Sequence, residues 1–442
     1  MKSVRPKVLH EVLFQPMLHH VLDLAFGLPH SSISVVIGHG GKEVEEACSA
    51  YAKVQFFEQK EQKGTADAVR SAQTFLEKQK GSVLILSGDV PLLTKKSVES
   101  FLKKHAEDKA ACSLVTTSLE KPTGYGRIIR DSHSFIKAIC EEADASAEER
   151  KITEINAGIY CFEIEDLFRA LSKITNQNRQ SEFYLTDVVE VLVRENKKVV
   201  GVLFEDSEET LGINDRTALA QAEKVLQERV NQFQMENGVT LQGCDSIWID
   251  THSKIESDVV IESGSRILKS QIGKNSLIQS NSRIEFSKIG TDVKIKQGSV
   301  IVESEVGDGS SVGPYAHLRP GSILGKKVKI GNFVETKKSV FKDGAKASHL
   351  SYIGDAEIGK EVNLGCGFIT CNYDGAKKHK TIIEDGVFVG SDSQTVAPVT
   401  LGANSYVASG TTVTRSVPSE SLVISRGKQV TKLGYAKRFL KK

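Results

Sequence analysis

Aliphatic side chains return every six positions through much of the C-terminal half of the chain, from about residue 249 to residue 413. A period of six fits neither an α-helix, which repeats every ~3.6 residues, nor a two-faced strand, which repeats every ~2 residues. It is typical of a solenoid in which short parallel strands each send one side chain into a shared core and then turn a corner. The series, which includes one threonine, is Ile249, Ile255, Ile261, Ile267, Ile272, Ile278, Ile284, Ile289, Ile295, Val306, Val312, Leu318, Leu324, Ile330, Ile358, Leu364, Ile383, Val389, Thr395, Leu401, Val407 and Val413.

Glycine often follows the aliphatic residue, at the positions where the predicted solenoid turns a corner. Glycine allows backbone angles and close approaches that other residues resist. The regular pattern is interrupted at residues 335–352 and 370–380, where polar side chains predominate. Interruptions of a solenoid project as loops, and function concentrates in such loops.

Residues 1 to about 215 follow a different pattern, in which short apolar runs alternate with amphipathic stretches. Such alternation predicts a mostly parallel sheet with helices on both faces, with ligands at the carboxyl ends of the strands. The predicted strands lie at residues 33–37, 54–57 and 83–86, and the predicted helices at 42–52, 65–80 and 95–109. A further helix at residues 215–237, with mixed charge and no Pro or Gly, would connect this region to the solenoid.

Length and charge narrow the classes of protein. A chain of 442 residues with a formal net charge of +2 should form two or three domains, and its charge gives no case for binding nucleic acid or a membrane surface. The N-terminal residues carry no apolar signal region, and no run approaches the length of a membrane span. We therefore expect a soluble, cytoplasmic protein.

The cysteines and the basic C-terminal tail do not by themselves predict a reaction or a metal site. The seven cysteines are scattered and form no C-x-x-C pair, which favours free thiols over disulfides or a zinc site. The tail would be solvated, with contact to a phosphate ligand as the alternative. Its basic residues are Lys428, Lys432, Lys437, Arg438, Lys441 and Lys442.

Three segments of the first half carry groups suited to a nucleotide. Ser87-Gly88-Asp89 places a carboxylate directly after a predicted buried strand, where it could hold Mg²⁺ against phosphates or simply cap the next helix. Residues 59–65 offer a side-chain amide and a Gly-Thr turn that opens a helix, which suits a base and a phosphate. Residues 122–127 form a Gly-hinged loop able to close over a sugar.

These segments, with Pro6-Lys7-Val8-Leu9-His10, residues 154–158 and residues 182–187, resemble a sugar-nucleotide pyrophosphorylase. Followed by a hexapeptide solenoid, they resemble the bifunctional N-acetylglucosamine-1-phosphate uridylyltransferase/glucosamine-1-phosphate N-acetyltransferase family over essentially the whole chain. The resemblance implies a Rossmann-like nucleotidyltransferase domain at 1–215, a linker helix at 216–237 and a left-handed parallel β-helix acetyltransferase domain at 238–442.

The resemblance also assigns roles in the first domain, which would join UTP and N-acetylglucosamine-1-phosphate into UDP-N-acetylglucosamine and pyrophosphate. Lys7 would neutralise phosphate charge, and Asp89 and Asn214 would bind Mg²⁺. The other residues implied in binding the sugar nucleotide are Gln59, Gly64, Thr65, Ser87, Gly88, Gly126, Glu141 and Asn156.

The chain departs from the family at its start. The family opens with an interior strand and a Gly-rich loop, L-x-A-G-x-G-T-R-M, and this sequence begins at the loop's final Met. We therefore expect an incomplete first domain in which the strands beside the missing one lose their ladder partners. The alternative is an enzyme that has the acetyltransferase activity alone, because uridylyl transfer depends on that loop. A smaller departure is Ala143, where the family usually carries Lys.

The interrupted segments of the second half contain acid, base and hydrogen-bonding residues. Arg and Lys suit a sugar phosphate, and His349 suits a general base because imidazole can take a proton from an amine near neutral pH. The motifs G-N-F-V-E-x-K-K, K-A-x-H-L-x-Y and T-C-N-Y-D-G, from Gly331, Lys346 and Thr370, match the same family.

The resemblance implies that His349 deprotonates the amine of glucosamine-1-phosphate, which attacks the thioester of acetyl-CoA, with Glu335 supporting His349. A cysteine nucleophile that forms an acetyl-enzyme is the rival mechanism. Gly365-Cys366-Gly367-Phe368 replaces the usual G-A-G-T, and Phe368 is bulkier than Thr. The implied sugar-phosphate residues are Arg319, Lys337, Tyr352 and Asn363, and the implied acetyl-CoA residues are Cys366, Asn372, Tyr373, Ser391, Ser409 and Arg426.

The family also implies assembly as a homotrimer with acyltransferase sites between subunits. The hypothesis in which the protein is not an enzyme is a catalytically silent trimeric scaffold. The set formed by Glu335, Lys337, His349, Tyr352 and Asn372 argues against it, because a scaffold has no need of these groups.

Overall fold

The computed structural model describes residues 1–439, and the chain divides into two compact units, Met1–Leu226 and Gln227–Lys442. Lys441 and Lys442 of the predicted basic tail lie outside the described residues. The boundary between the units falls within a long helix, so the predicted domain limits at residues 215 and 237 stay predictions. None of the helices described is long and apolar enough to cross a membrane.

The first unit contains the helices and strands of a mixed α/β domain. Its helices are α1 (Met17–Phe26), α2 (Gly41–Ala47), α3 (Thr65–Ser71), α4 (Gln73–Leu76), α5 (Lys95–Asp108), α6 (Ile164–Leu171), α7 (Thr186–Arg194) and the first part of α8 (Arg216–Glu236). Its strands are β1 (Glu11–Val12), β2 (Gln15–Pro16), β3 (Ile33–Ile37), β4 (Val54–Glu58), β5 (Ser82–Ile85), β6 (Cys112–Ser118), β7 (Arg127–Arg130), β8 (Ile136–Cys140), β9 (Glu154–Glu163) and β10 (Val199–Leu203). Short 3₁₀ turns lie at Lys7–Leu9, Glu149–Lys151 and Ser207–Thr210.

The main sheet of the first unit is mixed, so the expectation of a mostly parallel sheet was wrong. Its order is β10-β6-β9-β7-β8, with β5 paired to β9, and β10–β6 is the only parallel pair of this sheet among the described residues. The long strand β9 pairs antiparallel with β5, β6 and β7. The short apolar runs of β5 and β6 predict that these segments are strands. They do not predict the direction of β9, the strand with which both of them pair.

Strands β3 and β4 form a separate parallel pair. β5 pairs with β9 on one side only, so the main sheet and the β3–β4 pair are not joined in the described residues. A cavity of about 1450 Å³ is lined by both β3 and β5. In the described residues, β3 is therefore paired along one edge, to β4, and β5 along one edge, to β9.

The second unit is a parallel β-helix, preceded by the last part of α8, with 3₁₀ turns at Cys244–Ser246 and Tyr435–Arg438. Its strands are β11 (Thr240–Gln242), β12 (Trp248–Ile249), β13 (Lys254–Ile255), β14 (Val260–Glu262), β15 (Arg266–Leu268), β16 (Gln271–Ile272), β17 (Leu277–Ile278), β18 (Arg283–Glu285), β19 (Lys288–Ile289), β20 (Lys294–Ile295), β21 (Val300–Val302), β22 (Glu305–Val306), β23 (Ser311–Val312), β24 (His317–Leu318), β25 (Ile323–Leu324), β26 (Lys329–Asn332), β27 (Glu335–Lys337), β28 (Val340–Phe341), β29 (Lys346–His349), β30 (Tyr352–Gly354), β31 (Ala356–Ile358), β32 (Asn363–Leu364), β33 (Ile369–Cys371), β34 (Thr381–Ile383), β35 (Phe388–Val389), β36 (Gln394–Val396), β37 (Val399–Leu401), β38 (Tyr406–Val407), β39 (Thr412–Val413) and β40 (Leu422–Val423).

These strands stack in register into three flat parallel sheets of 11, 10 and 9 strands, which form the faces of the coil. Each strand pairs with the strand three places later, except that β38 pairs with β40, so a regular coil contributes one strand to each sheet. The fold therefore confirms the solenoid of short parallel strands predicted from the six-residue period, and with it the left-handed parallel β-helix that the family resemblance implied. The aliphatic series forms one continuous core, within which Phe368 is fully buried.

Buried serines also stack along the coil and satisfy backbone groups in its interior. The backbone N–H of Ser270 donates to Ser253 Oγ, that of Ser287 to Ser270 Oγ, and that of Ser304 to Ser287 Oγ, each at 3.1 Å. Buried polar atoms are costly unless they are paired. The ladder therefore lets small polar residues occupy the corners of an otherwise aliphatic core.

Candidate functional sites

Lys7, Asp89 and Asn214 meet in the first unit although they are distant in sequence. Lys7 Nζ donates to Asp89 Oδ2 and to Asn214 Oδ1, each at 2.5 Å. Lys7 belongs to the 3₁₀ turn Lys7–Leu9, and Asp89 lies in the turn that follows strand β5. Two hard oxygen atoms therefore point at one position, which the Lys7 ammonium holds here and which is suited in chemistry to a divalent cation.

Most of the residues expected to bind a sugar nucleotide line the large cavity of the first unit. Those that do are Lys7, Gln59, Thr65, Ser87, Gly88, Glu141 and Asn156. Gly64, Asp89, Gly126 and Asn214 do not line this cavity in the described residues. The cavity thus brings together the cationic Lys7, a side-chain amide and a carboxyl group, the kinds of group that recognise phosphate, base and sugar.

The start of α3 is shaped by Gly64, whose φ of 108° favours glycine. A Cβ at this position would lie 2.5 Å from the carbonyl oxygen of Phe183. Gln59 Nε2 donates to the Gly64 carbonyl at 3.0 Å and to Asp67 Oδ2 at 2.9 Å. The amide of Gln59 is therefore fixed by hydrogen bonds on its NH₂ side, which leaves its oxygen as the group available to a ligand.

Glu141 and Asn156 are held by neighbours on α7 and β9. Glu141 Oε1 accepts from Thr186 Oγ1 at 3.0 Å, and burial raises the pKa of Glu141. Asn156 Nδ2 donates to Tyr160 Oη at 2.6 Å, and its Oδ1 accepts from the backbone N–H of Gly158. Both side chains are ordered by protein contacts before any ligand binds, as precise recognition of a sugar requires.

Asp187, in the first turn of α7, should lower the stability of the fold at neutral pH. Burial, followed by repulsion from Glu190 and Glu141, raises the pKa of Asp187 from 3.8 to about 6. Between these values the unfolded carboxyl ionises while the folded one holds its proton, so stability falls as pH rises. We expect Asp187→Asn to gain ~2 kcal/mol at pH 7, and this gain should vanish below pH ~4 in urea unfolding.

Asp166→Asn is the matched control and should shift stability in the opposite direction. Burial alone would raise the pKa of Asp166, but hydrogen bonds from Lys197 and Arg169 hold it below 3.8. Its ionised form therefore stabilises the fold at neutral pH. Equal responses of the two variants across the pH range would contradict the assignment for Asp187.

Arg319 and Glu335 form an ion pair on neighbouring coils of the second unit. Arg319 Nη1 donates to Glu335 Oε1 at 2.7 Å. Glu335 pairs in register with His317 on one side and Tyr352 on the other. No hydrogen bond among the described residues joins Glu335 to His349, so the support expected from Glu335 stays a prediction.

Lys337 lies beside a second lysine that the sequence analysis did not single out. A contact from Lys378, followed by the charge of Arg319, lowers the pKa of Lys337. Three cationic side chains therefore share one region with two carboxylates, Glu335, which pairs with Arg319, and Asp355, whose charge acts on Lys337. An anion such as a phosphate would relieve their mutual repulsion.

His349 ends β29 and is exposed rather than buried in the core. His349 follows Ala347 by two residues. Ala347 pairs in register with Leu364 on the next coil, and Leu364 pairs with Val389 on the coil after that. Val389 pairs in turn with Val407. The residues that follow these four paired residues by two positions are His349, Cys366, Ser391 and Ser409. The structure thus aligns these side chains on successive coils at one corner of the β-helix.

The remaining predicted residues of the second unit lie on the same coils. A Cβ on Gly354 would lie 2.5 Å from Tyr352 Oη and 2.8 Å from Asn372 Nδ2, so these two polar atoms converge. Asn372 Nδ2 donates to Asp355 Oδ2 at 2.5 Å, and Tyr373 is 60% exposed. Asn363 pairs in register with Lys346, and a Cβ on Gly410 would lie 3.5 Å from Arg426 Cδ.

Comparison with known proteins matches different families to the N-terminal and C-terminal parts of the chain. The nucleotidyl transferase family matches residues 2–254, the GMPPB C-terminal domain residues 244–341, and the hexapeptide repeat of succinyl-transferase residues 380–415. Bifunctional protein GlmU of Trichlorobacter lovleyi is 47% identical over 98% of this chain and 95% of its own. GlmU proteins of Listeria monocytogenes and Shouchella clausii are 47% and 43% identical, each over 99% of this chain and 95% and 96% of their own.

The chain belongs to the GlmU family. The predicted family is thereby confirmed. Lys378 is a neighbour of Lys337 that the sequence analysis did not single out. Its place in a polar loop gave a weak signal, but only the fold brings it against Lys337.

Proposed function

We propose that the chain makes UDP-N-acetylglucosamine in two steps, acetyl transfer followed by uridylyl transfer. The first step moves acetyl from acetyl-CoA to glucosamine-1-phosphate, and the second joins the product to UTP with release of pyrophosphate. The observation that carries the proposal is the near full-length identity to proteins named as bifunctional. That name favours two activities over the acetyltransferase alone and over a silent scaffold.

In the acetyl-transfer step His349 acts as general base. Its imidazole takes a proton from the amine as the nitrogen attacks the thioester carbonyl, and collapse of the tetrahedral intermediate releases coenzyme A as the thiol. Arg319, Lys337 and Lys378 hold the phosphate, while Tyr352 and Asn363 hold the sugar. Exposed His349 and the corner column Cys366, Ser391 and Ser409 support this arrangement, because the acyl donor could run along the column.

In the uridylyl-transfer step a phosphate oxygen of N-acetylglucosamine-1-phosphate attacks the α-phosphorus of UTP, and pyrophosphate leaves. Gln59, Gly64 and Thr65 orient the uracil, and Gly126, Glu141 and Asn156 orient the sugar. Lys7 neutralises phosphate charge. Asp89 and Asn214, whose oxygens converge on Lys7 Nζ, would hold Mg²⁺, which would balance the charge of the phosphates when bound.

The β-helix is proposed to assemble as a homotrimer in the cytoplasm. Tyr315, Phe333 and Leu350 are 48%, 58% and 60% exposed. Tyr315 and Phe333 stack with ring centroids 5.9 Å apart, and Leu350 follows His349 directly. Large apolar side chains exposed in a row favour burial against another subunit beside the acyl-transfer residues.

Two assays on the same preparation test the proposal. Thiol release from acetyl-CoA with glucosamine-1-phosphate reports the first step, and pyrophosphate release from UTP with N-acetylglucosamine-1-phosphate reports the second. Both products are expected. Release of coenzyme A without pyrophosphate would support an enzyme with acetyltransferase activity only. Release of neither product would support the catalytically silent scaffold.

Lys378→Ala should raise KM for glucosamine-1-phosphate by ~10-fold with little change in kcat. The contact would be made to the phosphate in ground state and transition state alike, so its loss weakens uniform binding. Lys377→Ala is the matched control, because Lys377 is exposed in the same loop and is not among the groups that shift the pKa of Lys337. Equal rises in KM for the two variants in steady-state thiol assays would show general electrostatic attraction and not a specific contact.

A further inference from the structure

We propose that Arg127 is a positioning residue for the sugar in the uridylyl-transfer step, an inference that rests on the proposed function of the first unit. Arg127 is the first residue of β7, and its side chain is 2% exposed. Burying a charged group is costly unless the group is paired and hydrogen-bonded. The surroundings of Arg127 meet this condition and tie together the residues that would hold the sugar.

The strand register places Arg127 beside all three of the proposed sugar residues. Gly126 directly precedes Arg127 in the chain. Arg127 also pairs in register with the residue before Glu141 and with the residue before Asn156. The backbone N–H of Asn156 donates to the Gly126 carbonyl at 2.9 Å. Gly126, Glu141 and Asn156 therefore lie around one buried guanidinium.

The guanidinium joins two of the segments that carry these residues. Nη2 of Arg127 donates to Glu142 Oε2 at 2.7 Å, and Nη1 donates to the backbone carbonyl of Tyr125. Tyr125 belongs to the loop at residues 122–127, which we call the sugar loop, and Glu142 directly follows Glu141. The hydrogen bond from Arg127 lowers the pKa of Glu142, so this carboxylate is ionised and pairs with the guanidinium. A planar group with donors in fixed directions can set the distance between a loop and a strand end.

The space between the sugar loop and Glu141 is narrow. A Cβ on Gly126 would lie 3.3 Å from Glu141 Oε2. The backbone N–H of Gly212 donates to Tyr125 Oη at 3.4 Å, so the loop also contacts the segment that leads to Asn214. A small displacement of the loop would change the position at which a sugar hydroxyl meets Glu141. Tight binding depends on groups that are held in place before the ligand arrives.

A second ion pair of the same sheet offers a matched comparison. Arg130, at the other end of β7, donates from Nε and Nη2 to the two carboxylate oxygens of Glu154 at 2.8 and 2.6 Å. Arg130 Nη1 donates to the backbone carbonyl of Ser134, in the turn between β7 and β8. This pair therefore fastens the end of β7 that lies away from the sugar loop. Its loss should leave the sugar residues in place.

Titration calorimetry of the full chain with UDP-N-acetylglucosamine and with UDP, each with Mg²⁺, tests the proposal. Glu142→Ala should weaken binding of UDP-N-acetylglucosamine by ~10-fold, because Arg127 loses the acceptor that fixes it, and should leave the affinity for UDP unchanged. Glu142→Gln keeps an oxygen acceptor at the same place, so its affinity for UDP-N-acetylglucosamine should stay within ~3-fold of that of the original chain. Glu154→Ala should leave both affinities unchanged.

The two ligands separate a role in positioning from a loss of fold. Equal losses for both ligands in Glu142→Ala would show a general disturbance of the first unit and would overturn the proposal, as would unchanged binding of UDP-N-acetylglucosamine. An equal loss in Glu154→Ala would also overturn it. If the original chain bound neither ligand, the proposed uridylyl transfer would fail, and this proposal with it. Binding of both ligands without a selective loss would remove the role of Arg127 alone.

Discussion

Replacing His349 with alanine should lower kcat for acetyl transfer by ~100- to 10,000-fold, the range that a general base contributes. Coenzyme A release in a thiol assay measures this rate. KM for glucosamine-1-phosphate should change little, because the proposed phosphate ligands Arg319, Lys337 and Lys378 are unchanged. The loss arises because the amine is protonated near neutral pH and no other base stands on the corner column of Cys366, Ser391 and Ser409.

Two controls separate loss of the base from loss of the fold. Pyrophosphate release by the same variant should be unchanged, because that reaction belongs to the other unit of the chain. His252→Ala, an exposed histidine on an early coil of the β-helix, should retain full acetyl transfer. Coenzyme A release undiminished in His349→Ala would exclude this mechanism and leave the cysteine nucleophile as the candidate, which an acetylated Cys366 peptide would reveal.

The β-helix could be predicted from sequence because the six-residue spacing of its aliphatic side chains follows directly from the geometry of the coil. Each coil buries one side chain per strand, so Ile284, Ile301 and Leu318 follow one another at fixed intervals and stack in the same sheet. Register between coils is then set by the core itself. The corner column of His349 and Cys366 could not be located in this way, because the regular period is interrupted at residues 335–352, which contain His349.

The first unit could be predicted less well because its contacts are not periodic. The sequence indicates β5 and β6 as strands, but their shared antiparallel partner β9 lies far along the chain, and its direction depends on the loops between. The contact between Lys337 and Lys378 was missed for a related reason. It crosses from a strand to a loop, and no spacing rule joins the two.

A common position for Lys7, Asp89 and Asn214 could be expected only from the family motifs. The three residues come from a 3₁₀ turn, a strand end and the segment before α8. Charge alone would not select Asp89 among the many carboxylates of the chain. The structure adds that both oxygens contact one ammonium, so Lys7 brings the two proposed cation ligands together.

Asp89→Asn should therefore lower pyrophosphate release by ~100-fold or more and leave coenzyme A release unchanged. The substitution keeps the shape of the side chain but removes the negative charge that Lys7 contacts and that Mg²⁺ requires. Removing Mg²⁺ with EDTA should abolish pyrophosphate release by the original chain and spare acetyl transfer. Asp108→Asn, at the end of α5 and ion-paired with Lys104, is the matched control. Pyrophosphate release equal in Asp89→Asn and Asp108→Asn would rule out Asp89 as a cation ligand.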